Sequence, residues 1–304
     1  MFGKKKNQPE AEEETTKKSA KKKKEPVEQE PQYYRSPVGE DALNYKVYYM
    51  KLWEKILYFL LAAAAGALVG YLFYGGLGKN EFDEPTKLTY ILNTVIMAVC
   101  GFFAGKFFVP MRTKQIQKNR QNKLRSQFRD MLEALSTAFG AGKNVNDAFL
   151  SVEEDLANQY EEGAFILREL HLINTGVANG MTLEEMLGDF GRRSGVVDIQ
   201  DFADVFDICY RQGGNIKETV KNTCQIIGDK IGVMEEIETT VTGSKNEQYV
   251  MLVMPIALIA MIKSTSPDFA RNFTTPSGLI ATTVGLVMFV ASYLLGTKLL
   301  DIKV

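Results

Sequence analysis

The sequence predicts an all-α fold, namely a polytopic membrane protein with four transmembrane helices and a cytoplasmic antiparallel helical bundle of about six helices. Three observations support this prediction. Apolar residues concentrate in four stretches, two before residue 111 and two after residue 248. Between these limits, apolar residues recur with helical spacing. In the same central region, residues typical of helix starts follow glycines at several points.

The four apolar stretches are the predicted membrane segments. Residues 56–78, 88–110 and 278–297 are each long enough to cross a hydrocarbon core of about 30 Å as helices. Residues 249–262 are shorter and contain Pro255. A tilted span, a re-entrant piece and a buried core helix therefore remain open for this segment, although its short connection to the last stretch favours a membrane hairpin.

Composition divides the chain into four segments. Residues 1–50 are rich in Lys, Glu, Gln and Pro, and they predict a disordered cytoplasmic tail because they bury too little apolar surface to offset the entropy of ordering. The glutamates between the lysines favour a solvated tail over nucleic-acid binding. A transmembrane hairpin is predicted for 51–110, a cytoplasmic helical domain for 111–248, and a second hairpin with a short C-terminus for 249–304.

Lysine and arginine near the spans predict the orientation. Residues 111–129 carry seven Lys or Arg residues and no acid, whereas the loop 79–87 is net acidic. Both termini and the central domain are therefore expected in the cytoplasm. The three cysteines form no C-x-x-C pair, which favours reduced packing thiols over a disulfide framework.

One phrase recurs three times in the central domain: a glycine, a helix-capping residue, and an acid three places after the cap. The capping side chain is suited to accept a free backbone N–H of the first helical turn, and the acid favours the positive end of the helix dipole. The glycine suits the left-handed end of the preceding helix. Each phrase therefore predicts a tight turn between antiparallel helices. The motif residues are Gly142, Asn144, Asp147, Gly180, Thr182, Glu185, Gly213, Gly214, Asn215 and Glu218.

No catalytic residue, cofactor site or metal site emerges from the sequence, so the chain is predicted not to be an enzyme. Residues 141–144 lack the upstream glycine and the following hydroxyl residue of a phosphate-binding loop. His171 is the only histidine, and a surface or packing role is favoured over a metal ligand or a catalytic base. The acidic residues at 153–155 and 161–162 favour a solvated turn over a weak cation site.

Four aspartates recur at every third position of one predicted helix, which places them on a slowly drifting stripe. A solvated structural stripe is the default interpretation. An acidic docking face for a basic partner is the competing hypothesis, because acids outnumber bases beyond residue 130. The candidate docking residues are Asp198, Asp201, Asp204 and Asp207.

The resemblance to a known family rests on three phrases that occur in this order: "LEALSTAFGAGKNVNDAF", "NGMTLEEMLGDFGRRSG" and "RQGGNIKETVKNTCQIIGDK". A proline-containing apolar segment follows them. Together they resemble the type II secretion system F domain over roughly residues 124–262. A single such domain with two spans before it and two after it is similar to the Tad (tight adherence) pilus inner-membrane platform proteins of the TadB/TadC type.

The resemblance implies a noncatalytic platform in the bacterial inner membrane. Such a platform couples a cytoplasmic secretion or pilus ATPase to the insertion or extraction of prepilins or pseudopilins. A second related platform subunit and other copies of the chain are further expected partners. Membrane lipids are expected as partners because the first helix of the central domain is basic, and no nucleic-acid partner is expected. A membrane transporter or channel subunit, and a membrane scaffold unrelated to pili, remain the alternatives.

Overall fold

The computed structural model describes residues 30–78, 85–212 and 216–300. From Gln32 onward the chain forms one compact unit. Two short strands are followed by a series of helices, as the all-α prediction requires. The elements are β1 (Tyr33–Arg35), β2 (Asp41–Leu43), α1 (Leu52–Tyr74), α2 (Lys87–Gly140), α3 (Val145–Gln159), α4 (Phe165–Ala178), α5 (Leu183–Ser194), α6 (Val197–Gln212), α7 (Ile216–Thr265), α8 (Pro267–Asn272) and α9 (Pro276–Leu300).

The segment before α1 is folded against the helices. β1 and β2 pair antiparallel, with Tyr33 opposite Leu43. Beyond the hairpin, Tyr45 is 2% exposed and belongs to the same apolar core as the central helices. The predicted disordered tail through residue 50 is therefore too long, because residues 33–50 belong to the folded unit. Residues 1–29, the rest of that predicted tail, lie outside the described residues.

α1 and α2 form an antiparallel pair whose close approach depends on small residues. A Cβ atom on Gly66 would lie 2.5 Å from the Cβ of Ala104, and one on Gly101 would lie 2.8 Å from the carbonyl oxygen of Ala63. Glycine at both positions lets the backbones come together, which is how membrane helices gain packing energy without a hydrophobic driving force between them.

α2 does not end at the predicted boundary after residue 110. It is a single helix of 54 residues that contains Pro110 and continues through the basic stretch into the bundle. The sequence places a domain boundary here because composition changes and because proline disfavours a helix interior. Proline removes one backbone hydrogen bond, however, and packing of α2 against α1 and α7 allows the helix to continue at that cost.

The bundle consists of the C-terminal half of α2, the shorter helices α3 to α6, and the N-terminal half of α7. Its core is a single apolar cluster to which each of these helices contributes the residues with helical spacing. Edge-to-face aromatic contacts centre on Phe128 of α2, which packs against Phe190 of α5 and Phe202 of α6 with ring centroids 6.2 and 5.7 Å apart. These contacts bind α5 and α6 to α2.

Four helices of the described chain are long and apolar enough to cross a membrane: α1, α2, α7 and α9. The short apolar stretch 249–262 is the C-terminal part of α7, a helix of 50 residues that contains Pro255. This stretch is therefore not a separate helix. None of its residues belongs to the apolar core of the bundle. α8 then leads to α9.

Candidate functional site

The first two predicted turns have the expected geometry. Gly142 has φ +84° and Gly180 has φ +86°, both in the left-handed region. The side chain of Asn144 accepts the backbone N–H of Asp147 at 2.9 Å. In the second turn, the Thr182 hydroxyl accepts the N–H of Glu185 while the Glu185 carboxylate accepts the N–H of Thr182, both at 3.4 Å.

The third turn remains a prediction. Its residues Gly213, Gly214 and Asn215 lie outside the described residues, and Glu218 lies in the first turn of α7. The two described turns are structural, since they cap α3 and α5 and set the direction of the following helices. Neither turn forms a chemical site by itself.

The four aspartates of α6 do not share one face. A step of three residues rotates the helix by about 300°, so the stripe turns halfway around the helix over four members. Asp198 is 3% exposed, whereas Asp201 and Asp204 are exposed and Asp207 is half-buried. The prediction of one docking face is therefore wrong for Asp198, which faces the junction between helices.

Asp198 is instead an ion-pair centre for three helices. Its Oδ2 lies 3.6 Å from Nε of Arg125 on α2, and its Oδ1 lies 2.7 Å from Nζ of Lys230 on α7. Hydrogen bonding to Asp198 raises the pKa of Lys230. Two bases with one buried carboxylate hold α2, α6 and α7 together.

Asp204 and Asp207 line a cleft between α5 and α6. This cleft has a volume of about 320 Å³, and the turn of Thr182 and Glu185 forms part of its wall opposite Asp204 and Asp207. The structure thus brings the second turn and the outer end of the stripe together. Asp207 is partly neutralised, because Arg211 lies 2.8 Å from it. Asp201 and Asp204 are the most exposed carboxylates of the set.

A buried polar network at the centre of the bundle has no signal in the sequence. The Glu169 carboxylate, 1% exposed, accepts two hydrogen bonds from the Arg193 guanidinium at 3.0 and 2.7 Å. Arg193 also donates to Asp189 at 2.6 Å and to the carbonyl oxygen of Leu43 at 3.1 Å. The Tyr45 hydroxyl donates to Glu169 at 3.0 Å. The network therefore joins α4, α5 and the segment before α1.

Protonation states in this network follow from its contacts. Burial alone would lower the pKa of Arg193, but the hydrogen bonds and charge of Glu169 outweigh burial and raise it. Burial, and then the negative charge of Glu169, raise the pKa of the Tyr45 hydroxyl well above its ordinary value. Arg193 is thus a cation and Tyr45 a neutral donor at neutral pH. The arrangement is a structural clamp.

A second feature that sequence reasoning missed is a stalk of two paired helices that leads from the bundle core toward the apolar ends of α2 and α7. We define the stalk as residues 111–129 of α2 and 232–248 of α7, so its bundle end includes the core residues Leu124 and Phe128. Arg129 Nη1 lies 2.9 Å from the Glu235 carboxylate, and the Asn122 amide donates to Glu238 at 3.1 and 3.2 Å. These contacts join the two helices at the end of the stalk nearest the bundle, which resists bending of either helix there.

The structure also bears on whether the chain could hold a metal ion and on the role of His171. Among the described residues, no group of three or more His, Cys, Asp or Glu side chains is placed to hold a metal ion. His171 is 64% exposed and lies 3.2 Å from Glu153 on the surface. The features that stand out are mechanical: two long helices, a clamp and an acidic cleft.

Residues 131–262 match the model of the family described as Type II secretion system (T2SS), protein F. The match supports the F-domain family and runs from the bundle part of α2 to the apolar part of α7, which is less than half of the chain. Searches of curated proteins and of solved structures returned no significant match. The F domain occurs in inner-membrane platform proteins of type II secretion systems and type IV pili, which are structural membrane proteins and not known enzymes.

Proposed function

We propose that this protein is the inner-membrane platform of a Tad-like pilus and that it couples a cytoplasmic assembly ATPase to the insertion of pilin subunits. The F-domain match and the four apolar helices support a platform protein in the inner membrane. One F domain with two candidate spans on each side supports the Tad-like type over platforms with two such domains.

The observation that carries the mechanism is the continuity of α2 and α7. Each helix runs without interruption from the bundle core into an apolar candidate span. A displacement of the bundle is therefore transmitted to the membrane segments along two helices that the stalk contacts hold in register. A platform of this kind needs no catalytic site of its own.

The experiment that tests this mechanism interrupts the stalk. Proline in a helix interior removes a backbone hydrogen bond and costs about 3 kcal/mol or more. In a strain that lacks the chromosomal copy, Val241→Pro is expected to abolish pilus assembly although the chain inserts into the membrane and its bundle resists protease. Val241→Ala is the matched control and should assemble pili. Normal assembly by the proline variant would contradict a rigid stalk.

The ATPase contact is the second part of the proposal. We place it on the exposed carboxylates Asp201 and Asp204 beside the α5–α6 cleft, because exposed acids suit a basic partner surface. Asp201→Lys/Asp204→Lys should weaken capture of the purified host ATPase. Added salt should weaken capture by the wild type, since exposed charges are screened beyond about 10 Å at 0.1 M.

A control with the same change of net charge separates docking from general electrostatics. Glu161 and Glu162 are exposed in the turn between α3 and α4, so Glu161→Lys/Glu162→Lys alters the charge away from the cleft. This control should bind the ATPase as the wild type does. Equal loss in both variants, or salt-insensitive binding by the aspartate variant, would refute docking at Asp201 and Asp204.

A further inference from the structure

A cavity of about 420 Å³ lies where the apolar segments of three of the candidate membrane helices end. Met111 contributes from α2, Lys245, Gln248 and Tyr249 from α7, and Tyr293 and Lys298 from α9. Two lysines and two tyrosines thus line one cavity. The stalk begins at the same level, so the cavity lies at the end of the membrane segments that carries the bundle.

The contact between α7 and α9 at this cavity is close. The Gln248 side-chain amide donates to the carbonyl oxygen of Tyr293 at 3.4 Å. A Cβ atom on Gly296 would lie 2.3 Å from Nε2 of Gln248, so glycine is needed for the amide to lie between the two helices. The polar wall is therefore packed in place on the side of Gln248.

The side chains that line the cavity carry a net positive charge, from Lys245 and Lys298. No acid occurs between residues 88 and 129 of α2, and Glu247 and Asp268 are the acids between 239 and 300. Glu247 is two residues from Lys245, which in a helix places it about 200° away from that face. On α2, Lys114 and Lys118 lie three and seven residues after Met111 and continue its face away from the membrane.

The cavity has apolar surface directly beside it. Val250 and Leu294, next in sequence to the tyrosines, are 59% and 60% exposed. Tyrosine is enriched at the membrane–water boundary, where its ring contacts hydrocarbon and its hydroxyl reaches the headgroups. A ligand held by the two lysines would thus have its polar part in the cavity and space for an apolar part along α7 and α9.

The geometry points to a binding site for the phosphate headgroup of an anionic phospholipid between α2, α7 and α9. Lys245 and Lys298 bind the phosphate, Tyr249, Tyr293 and Gln248 offer polar contacts, and the acyl chains follow the exposed apolar faces of α7 and α9. Basic pockets between membrane helices are suited to such headgroups. A free phosphate shares the headgroup chemistry but would not use the apolar surface, which is why we assign the site to lipid. The site does not depend on the proposed pilus function.

Quenching of a tryptophan beside the cavity by brominated lipid tests this assignment. Trp53 is the only tryptophan, so Leu294→Trp in a Trp53→Phe background gives one local probe that does not line the cavity. The full chain is reconstituted in phosphatidylcholine vesicles in which the same minor fraction is either brominated phosphatidylglycerol or brominated phosphatidylcholine. The probe should be quenched more strongly by phosphatidylglycerol.

Charge variants then locate the preference. Two lysines near an anionic headgroup contribute roughly thirtyfold in lipid preference, so Lys245→Gln/Lys298→Gln should abolish most of it, and Lys245→Arg/Lys298→Arg should retain it. Lys51 and Lys55 are exposed at the start of α1, at the same end of the membrane helices, and Lys51→Gln/Lys55→Gln should have no effect.

Three results would overturn the assignment. The first is no preference for phosphatidylglycerol in the Leu294→Trp/Trp53→Phe background, and the second is an equal loss of that preference in the Lys51→Gln/Lys55→Gln control. The third is loss of the preference in inorganic phosphate but not in sodium chloride of equal ionic strength. The last result would assign the cavity to a free anion. Preference retained in phosphate and lost in the Lys245/Lys298 variant supports the lipid site.

Discussion

The clamp around Arg193 gives the sharpest quantitative prediction. Replacing Arg193 with Met removes both hydrogen bonds to Glu169, whose carboxylate is 1% exposed, and leaves Tyr45 as its one remaining partner within the clamp. Removing one member of a buried ion pair typically costs 3–5 kcal/mol, because the other charge stays buried without compensation. We expect a loss of about 4 kcal/mol in the free energy of unfolding of the bundle.

The assay is pulse proteolysis of the full chain in detergent across a urea titration, which measures unfolding of the bundle separately from the membrane helices. Arg192→Met is the matched control. Arg192 is the adjacent residue, and its side chain is 68% exposed and lies 3.7 Å from Asp189. An exposed pair of this kind contributes about 0–1 kcal/mol, so the control should unfold close to the wild-type urea concentration.

A double variant tests the cause. Glu169→Leu/Arg193→Met removes both charges, so it should be more stable than the sum of the single losses implies, with a coupling of about 0.5–3 kcal/mol. Hydrogen exchange in residues 42–50 should also rise in Arg193→Met, because the side-chain hydrogen bond from Arg193 to the carbonyl oxygen of Leu43 is lost. A loss below about 1 kcal/mol for Arg193→Met, or strict additivity in the double variant, would refute the proposed role of the clamp.

Three further predictions concern the turns, a buried thiol and the orientation. Gly142→Ala should destabilise the bundle by about 1–2 kcal/mol, because the backbone of Gly142 has φ +84°. Gly140→Ala, two residues earlier within α2, is the control and should be neutral or stabilising in the same urea titration. Equal effects of the two substitutions would contradict a left-handed turn. Burial raises the pKa of the Cys224 thiol from 9.0 to about 12. The protonated thiol therefore favours the folded state. Its contribution to the free energy of unfolding is complete below pH 9.0 and is lost as the pH rises toward 12. Urea titrations should therefore show wild type losing up to about 1.4 kcal/mol per pH unit relative to Cys224→Ala above pH 9.0, and a constant difference would contradict burial of the thiol. A cysteine introduced at Gln159 should react with a membrane-impermeant maleimide after permeabilisation and not in intact cells, and ready labelling of intact cells would reverse the predicted orientation.

The membrane segments and the first two turns could be predicted from the sequence because both depend on local chemistry. A run such as 278–297 is apolar over the thickness of a bilayer whatever surrounds it. Asn144 and Thr182 cap the helices that they precede, so each motif contains both partners of its hydrogen bonds. The helical spacing likewise placed Phe128 and Phe190 in the core, where both are fully buried.

Other features depend on residues that are distant in sequence, and the tertiary structure decided them. Asp198 was assigned to the surface by its spacing, but the Arg125 and Lys230 side chains, from two other helices, stabilise its carboxylate in a buried position. The sequence places Tyr45 in the predicted tail. It becomes a core residue because the Glu169 carboxylate and the Arg193 carbonyl oxygen, 124 and 148 residues further along, accept hydrogen bonds from its hydroxyl and its backbone N–H. The uninterrupted course of α2 past Pro110 was also decided in three dimensions, since packing on α1 and on α7 stabilises the helix on both sides of a residue that disfavours it.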